Sequence, residues 1–177
     1  EDHTILVREY IAAADALPRP KRDNARVVLT GAFCEQPPLG LIKSIEMSGC
    51  YIVDDDFMLV TRWLLDDVPA DGSPLEELSK AFLHRSATTA AKYDTTQAEK
   101  GMFLLKQVKT RGAEGVIFAA PSFCDPALLE RPMLQDVMAK HQVPYTAFKY
   151  AENTGQMAPI REQSGTFADS IKLWSAA

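Results

Sequence analysis

Four short stretches rich in apolar residues punctuate the chain, and the segments between them place apolar residues at helical spacing. The first, Arg26-Val-Val-Leu-Thr30, ends at Gly31, and the second, Cys50-Tyr-Ile-Val53, runs into Asp54, Asp55 and Asp56. The third, Val116 to Ala120, has no polar position, the mark of a strand buried on both faces, and stops at Pro121. The fourth, Tyr145 to Tyr150, follows Val143-Pro144. All four read as strands.

The intervening patterns predict helices. Residues 4–17 place Leu6, Tyr10, Ala13 and Leu17 on one face, and Pro18 and Pro20 end that helix before a polar linker, Arg19 to Asn24. Pro38 suits the first turn of a helix running to about Ser48, with Leu39, Ile42 and Ile45 inward and Gly49 at the left-handed position past its end. A short helix is expected over residues 57–65 and a turn from Asp66 to Gly72. Ser73-Pro74-Leu75-Glu76 has the form of a capping box and opens a helix to about Arg85; residues 86–94 are polar and irregular. A longer helix runs from Thr95 or Thr96 to Arg111, with Met102, Leu105 and Val108 on one face and Gly112 as its cap. Asp125-Pro126 begins a short helical segment, and Pro132 restarts a helix through His141. A loop over residues 151–158, containing Gly155, precedes a final helix from about Ile160 to Trp174.

Strands alternating with helices imply an α/β fold, a Rossmann-like or flavodoxin-like parallel sheet with helices on both faces. Right-handed crossovers restrict the order to 2-1-3-4, with the switch point between the first and third strands. Open α/β sheets bind ligands in the crevice outside the carboxyl ends of their strands at such a point. Two loops meet there: Gly31-Ala-Phe-Cys-Glu-Gln-Pro-Pro38 and Pro121-Ser-Phe-Cys-Asp-Pro126. Residues 1–25 are expected to form an N-terminal helix and linker, and residues 26–177 the sheet domain.

Composition narrows the function classes. The chain has 177 residues, 46% hydrophobic and 24% charged, enough for one domain with a full core. A net charge of -5 argues against a nucleic-acid or anionic-membrane surface, which needs clustered Lys and Arg. No apolar run approaches the roughly 20 residues of a membrane span, and no signal-peptide pattern opens the chain. Three cysteines, Cys34, Cys50 and Cys124, are too few for a secreted disulfide framework and fit a reducing cytoplasm. No CxxC, GxGxxG or GxxxxGK[ST] is present, so neither a self-contained zinc site nor ATP binding by this chain is expected. His3, His84 and His141 are scattered and read as surface residues. A start at Glu1 without methionine suggests an excised domain of a longer subunit.

Within the two loops, Cys124 has two readings. It is either a small buried hydrophobe or, between prolines and near helix N-termini, a candidate thiolate able to ligate a metal or act as a nucleophile. Cys34 and Glu35 either face a ligand or, for Glu35, favour the coming helix dipole. Ser122, Phe123 and Asp125 share the rim with Cys124. Cys50 opens a buried strand and reads as structural. Asp54, Asp55 and Asp56 follow a strand end, where carboxylates can hold a metal or hydrogen-bond a substrate, but at least two of them read as a helix cap plus solvated charge. No Ser-His-Asp arrangement and no catalytic residue can be picked out.

Gly31-Ala-Phe-Cys-Glu-Gln-Pro-Pro-Leu39, Ile45-Glu46 with Gly49, Asp54-Asp55-Asp56, Phe123-Cys124-Asp125-Pro126 and Gln156…Arg161-Glu162-Gln163 together resemble the 2-hydroxyacyl-CoA dehydratase D-component family. Within that family the chain is most similar to the C-terminal domain of the cluster-bearing, substrate-binding subunits of ATP-dependent benzoyl-CoA reductases, the smaller type in particular. The resemblance covers nearly the whole chain, and Phe-Cys-Asp-Pro is its most specific part. It implies a subunit of two Rossmann-like domains with a 4Fe–4S cluster between them. Two cluster cysteines would come from an N-terminal domain absent from this chain and the third from Cys124. It further implies a homologous cluster-bearing partner subunit, an ATP-hydrolysing iron–sulfur activator that delivers electrons singly, and an acyl-CoA substrate such as benzoyl-CoA. Reduction gives a cyclohexadiene carboxyl-CoA; in the dehydratases a ketyl radical anion forms and water leaves. Cys34 and Cys50 do not match cluster positions, so this chain alone is expected to lack the cluster and to be inactive. The alternatives are a radical 2-hydroxyacyl-CoA dehydratase component and, from a different class, a non-redox module that binds a small ligand or docks a subunit.

Overall fold

The computed structural model describes residues 2–20, 22–31, 36–56, 67–85, 97–151 and 157–175. The helix expected over 57–65, the irregular stretch 86–94, and both Cys34 and Glu35 lie outside the described residues.

The four apolar stretches are strands: β1 (Ala25–Thr30), β2 (Cys50–Asp55), β3 (Gly115–Pro121) and β4 (Tyr145–Tyr150). They form one parallel sheet in the order β2-β1-β3-β4, as the connections predict. Around it lie α1 (Asp2–Ala16), α2 (Leu39–Met47), α3 (Pro74–Lys80), α4 (Gln97–Arg111), α5 (Asp125–Lys140) and α6 (Met157–Ser175).

Strand alternation divides the core in two. Val27, Leu29, Ile117 and Ala119 pack with Leu41 and Ile45 of α2 and with Ile160, Phe167, Ala168 and Ile171 of α6. Val28, Val116 and Phe118 point the other way, onto Leu104, Leu105 and Val108 of α4 and Leu134, Val137 and Met138 of α5. The crossover after β1 therefore covers one face and the crossover after β3 the other. That reversal creates the switch point. Two glycines serve the helix ends as expected: Gly49 (φ 103°) after α2 and Gly112 (φ 59°) after α4 take the left-handed conformation that a Cβ disfavours.

Several local expectations are corrected. Ile45 is buried as expected and Ile42 is half-buried, but Leu39 is exposed and Leu41 takes the buried position instead. Met102 is exposed; the inward face of α4 is Gly101, Leu104, Leu105 and Val108, because alternating steps of three and four residues track a helix face better than repeated steps of three. Ser73 stands at the N-cap of α3 with no side-chain cap hydrogen bond, and Glu76 pairs with Lys80 instead, so no capping box forms. Beyond α3, residues Ala81–Arg85 widen into a π turn. Pro132 does not restart a helix: α5 runs unbroken through it. Proline there removes one helical donor, toward the carbonyl of Leu128, and the residue itself is exposed. The final helix begins earlier, at Met157. No residue of α1 is buried, and Leu6 and Tyr10 on its apolar face are exposed.

Candidate functional site at the carboxyl rim of the sheet

The rim beyond β1 and β3 is built from two tethers. On the β3 side, Pro121 is still paired with Tyr150 of β4, and the chain then turns sharply. The Ser122 amide donates to the Tyr150 carbonyl at 2.8 Å, and the Ser122 hydroxyl donates to the same oxygen at 3.0 Å. The Cys124 amide closes the turn onto the Pro121 carbonyl at 3.0 Å. Cys124 then occupies the N-cap of α5, its carbonyl accepting from the Leu128 amide at 3.1 Å. Pro126 suits the first turn that follows, where its missing donor costs nothing, and Asp125 complements the helix dipole.

The turn does not use the Cys124 thiol. No side-chain hydrogen bond caps α5, and the residue is half-buried at the rim rather than part of either core cluster. Beside it Phe123 is 94% exposed, an aromatic ring held in solvent at the tip of the loop. Asp125 is also exposed. Ser122, a rim candidate from the sequence, has its hydroxyl engaged in the tether to β4.

The β1 side is held by one of the three aspartates, at least two of which the sequence assigns to a cap or to solvent without saying which. Asp56 is 4% exposed. It accepts from the Thr30 hydroxyl at 2.7 Å and from the Gly31 amide at 3.2 and 3.3 Å. Its position follows from a register shift: Val27 pairs with Ile52 but Val28 pairs with Asp54, so Val53 is an extra residue in β2. The shift carries the acid run forward by one and brings Asp56, rather than Asp55, beside Thr30. Asp54 turns outward to an ion pair with Arg111 at 3.1 Å.

Between the tethers lies a small cleft lined by Thr30, Gly31, Ala120, Ala127, Glu130 and Arg131. Glu130 is buried, and the Nε of Arg131 is buried with no hydrogen-bond partner among the described residues. Sequence reasoning missed both. Glu130 falls in register with Ala127, Leu134 and Val137, the buried face of α5, a signal visible only if the helix is taken as continuous through Pro132.

Cys50 behaves as a structural residue. It is fully buried at the opposite end of the sheet, with Sγ 3.8 Å from the Ser164 carbonyl. Burial pushes its thiol up to about 11, despite a hydrogen bond with Ser48 that acts the other way. Of the histidines, His3 and His141 are exposed. Among the described residues no three His, Cys, Asp or Glu side chains come together in a group able to hold a metal ion, so these residues offer an iron–sulfur cluster one thiol at the rim, that of Cys124. Nor, among them, is any helix long and apolar enough to cross a membrane.

Comparison with known proteins adds a frame to this geometry. The sequence model of the 2-hydroxyglutaryl-CoA dehydratase D-component family matches residues 1–171. Over 175 residues the chain is 65% identical to a benzoyl-CoA reductase subunit of Thauera aromatica, a match covering 99% of this chain and 45% of that protein. It is 28% identical over 172 residues to the beta subunit of lactoyl-CoA dehydratase of Anaerotignum propionicum, covering 97% of this chain and 45% of that one. It is 26% identical over 174 residues to the beta subunit of (R)-2-hydroxyglutaryl-CoA dehydratase of Acidaminococcus fermentans, with the same two coverages. The chain thus spans less than half the length of these relatives.

Proposed function

The chain belongs to the 2-hydroxyglutaryl-CoA dehydratase D-component family, and on that premise we propose that it is the C-terminal domain of an iron–sulfur subunit that passes low-potential electrons to an aromatic acyl-CoA, reducing benzoyl-CoA to a cyclohexadiene carboxyl-CoA. The observation that carries the reading is the gap between 65% identity to a benzoyl-CoA reductase subunit and 26–28% to dehydratase subunits. The subunit acts in the cytoplasm, beside a homologous cluster-bearing subunit and an ATP-hydrolysing iron–sulfur activator.

In this reading Cys124 is one ligand of a 4Fe–4S cluster whose other thiolates come from the rest of the subunit, since such clusters take mostly four cysteines. The cluster, when bound, supplies one-electron transfer. The residues of this chain hold and shield it. The Ser122 tether and the N-cap position of Cys124 fix the loop backbone before any metal arrives. Phe123, exposed at the tip, is placed to exclude water from the space that the rest of the subunit encloses. Asp125 belongs to the same rim, and Cys34 and Glu35, outside the described residues, are proposed to contact the substrate.

A second reading, a component of a radical 2-hydroxyacyl-CoA dehydratase, is favoured by the match to the lactoyl-CoA dehydratase beta subunit along 97% of this chain. One experiment separates the two. The complete complex is supplied with ATP, a low-potential reductant and either benzoyl-CoA or a 2-hydroxyacyl-CoA, and the thioester products are identified by mass spectrometry. A dihydro product from benzoyl-CoA is expected. An enoyl product from the hydroxyacyl thioester, with benzoyl-CoA untouched, would overturn the reductase assignment.

A further inference from the structure

We infer that the apolar face of α1, formed by Leu6, Val7, Tyr10 and Ile11, is a docking surface for the part of the subunit that lies outside this chain. The inference rests on the reading above that the chain is one domain of a longer subunit, and not on the reaction assigned to it.

The face is written in the sequence. Leu6, Tyr10 and Ala14 form one row in steps of four residues, and Val7 and Ile11 form the row beside it. Asp2, Arg8, Glu9 and Asp15 fall outside that stripe. A helix with such a stripe gains its stability by burying it against a neighbour. Here the stripe is open: no residue of α1 is buried, and Leu6 is 66% and Tyr10 74% exposed. At 15 residues α1 is of a length that is marginal in water without packing. A neighbour is therefore required that this chain does not provide.

Two observations choose the occupant. First, α1 lies inside the family match, which covers residues 1–171, so its apolar face belongs to the subunit's own sequence. The match to the benzoyl-CoA reductase subunit covers only 45% of that relative, which leaves more than half of its length outside. Second, α1 is too small to hold separate molecules together. A helix of this length is about 22 Å long and about 10 Å wide, against the roughly 800 Å² that each partner contributes to a stable interface. A segment of the same polypeptide needs no such area, because covalent connection gives it an effective concentration of millimolar order. The rest of its own subunit thus suits the face better than a second copy or a separate subunit does. The surface it meets must itself be apolar, since a facing charge would be buried against Leu6 and Ile11 without a partner.

The test uses the complete subunit, as wild type and with Leu6→Asp and Tyr10→Asp together, and reads amide hydrogen exchange over residues 4–16 by mass spectrometry. The double variant is expected to exchange there about a hundredfold faster than wild type, with exchange in β1 and β3 unchanged. Arg8→Ala, outside the stripe, should leave the rate within about twofold. If the double variant does not fold, Tyr10→Ala decides by an acceleration of about tenfold. Equal exchange in wild type and variants overturns the inference. Protection that falls on dilution, together with the mass measured by light scattering, also overturns it and marks a second copy as the occupant. A subunit whose α1 is protected but whose complex leaves benzoyl-CoA untouched overturns the functional reading alone. An active complex whose subunit leaves α1 unprotected overturns this inference alone.

Discussion

Cys50 and Cys124 are the same residue at opposite ends of one parallel sheet. Cys50 begins β2, where the chain emerges from the tight end of α2 under the final helix, and burial holds its thiol protonated. Cys124 follows the end of β3, where the strand stops, the backbone turns on itself and the next helix begins. The amino end of the sheet is closed by side chains. At the carboxyl end Ser122, Thr30 and Asp56 tether the backbone, while the Cys124 thiol takes no part in capping α5. Position along the strand, rather than residue type, separates the structural cysteine from the chemical candidate.

The largest effect expected from this contrast is on turnover. Cys124→Ala in the complete complex should reduce acyl-CoA reduction to background, while the melting curve of the chain carrying it shifts by no more than about 0.5 kcal/mol in stability, as for a substitution outside the core. Activity assay and denaturant titration read the two quantities. A loss of several kcal/mol would place Cys124 with Cys50 and erase the distinction.

The next effects belong to the closed end and should touch stability alone. A Cβ at Gly115 would sit 2.8 Å from Ile171 Cδ1 and 2.8 Å from Phe167 Cζ. Gly115→Ala should therefore cost about 1–3 kcal/mol by overpacking, measured by urea titration. Cys50→Ser puts a hydroxyl where a weakly polar thiol is fully buried, and should cost about 1–3 kcal/mol with the iron content of the complete subunit unchanged.

Titration of Cys50 gives a smaller signal with a definite sign. Its folded value, about 11, lies above its ordinary 9.0, so the folded state holds the proton more tightly. The corresponding stability is present in full below pH 9 and is lost as pH rises through about 11. The difference between wild type and Cys50→Ala should therefore shrink by about 2 kcal/mol across that window, as read by denaturant midpoints at a series of pH values. A difference independent of pH would mean that Cys50 is less enclosed than the structure has it.

Much of the sheet was legible because its evidence is local. Val116 to Ala120 has no polar position, and the order 2-1-3-4 follows from the alternation of elements and crossover handedness. The strand ends were legible for the same reason: Gly31 follows the last residue of β1, and β3 ends at Pro121. What could not be read depends on registers between segments distant in sequence. Asp56 is buried because Val53 is an extra residue in its pairing with β1, and nothing in Asp54-Asp55-Asp56 distinguishes the third acid from the others. Glu130 and Arg131 were hidden by the assumption that Pro132 breaks the helix, whereas α5 runs through it. The four residues Ser73 to Glu76 have the composition of a capping box, yet Lys80, one turn on, draws Glu76 into an ion pair.

The smallest expected effect tests whether the outward turn of Asp54 matters. Its pair with Arg111 is largely solvated on the arginine side, so Arg111→Ala should change stability by no more than about 1 kcal/mol and leave turnover unchanged. A large loss of turnover would extend the functional rim as far as β2.

In the proposed function Cys124 ligates a cluster and Cys50 does not. It is tested most directly by iron content, with the visible spectrum, of the complete subunit bearing Cys124→Ser or Cys50→Ser, purified without oxygen. Cys124→Ser is expected to lose the cluster, because a hard, barely acidic hydroxyl replaces a soft thiolate, and Cys50→Ser to keep it. Full iron and an unaltered spectrum in Cys124→Ser would contradict it.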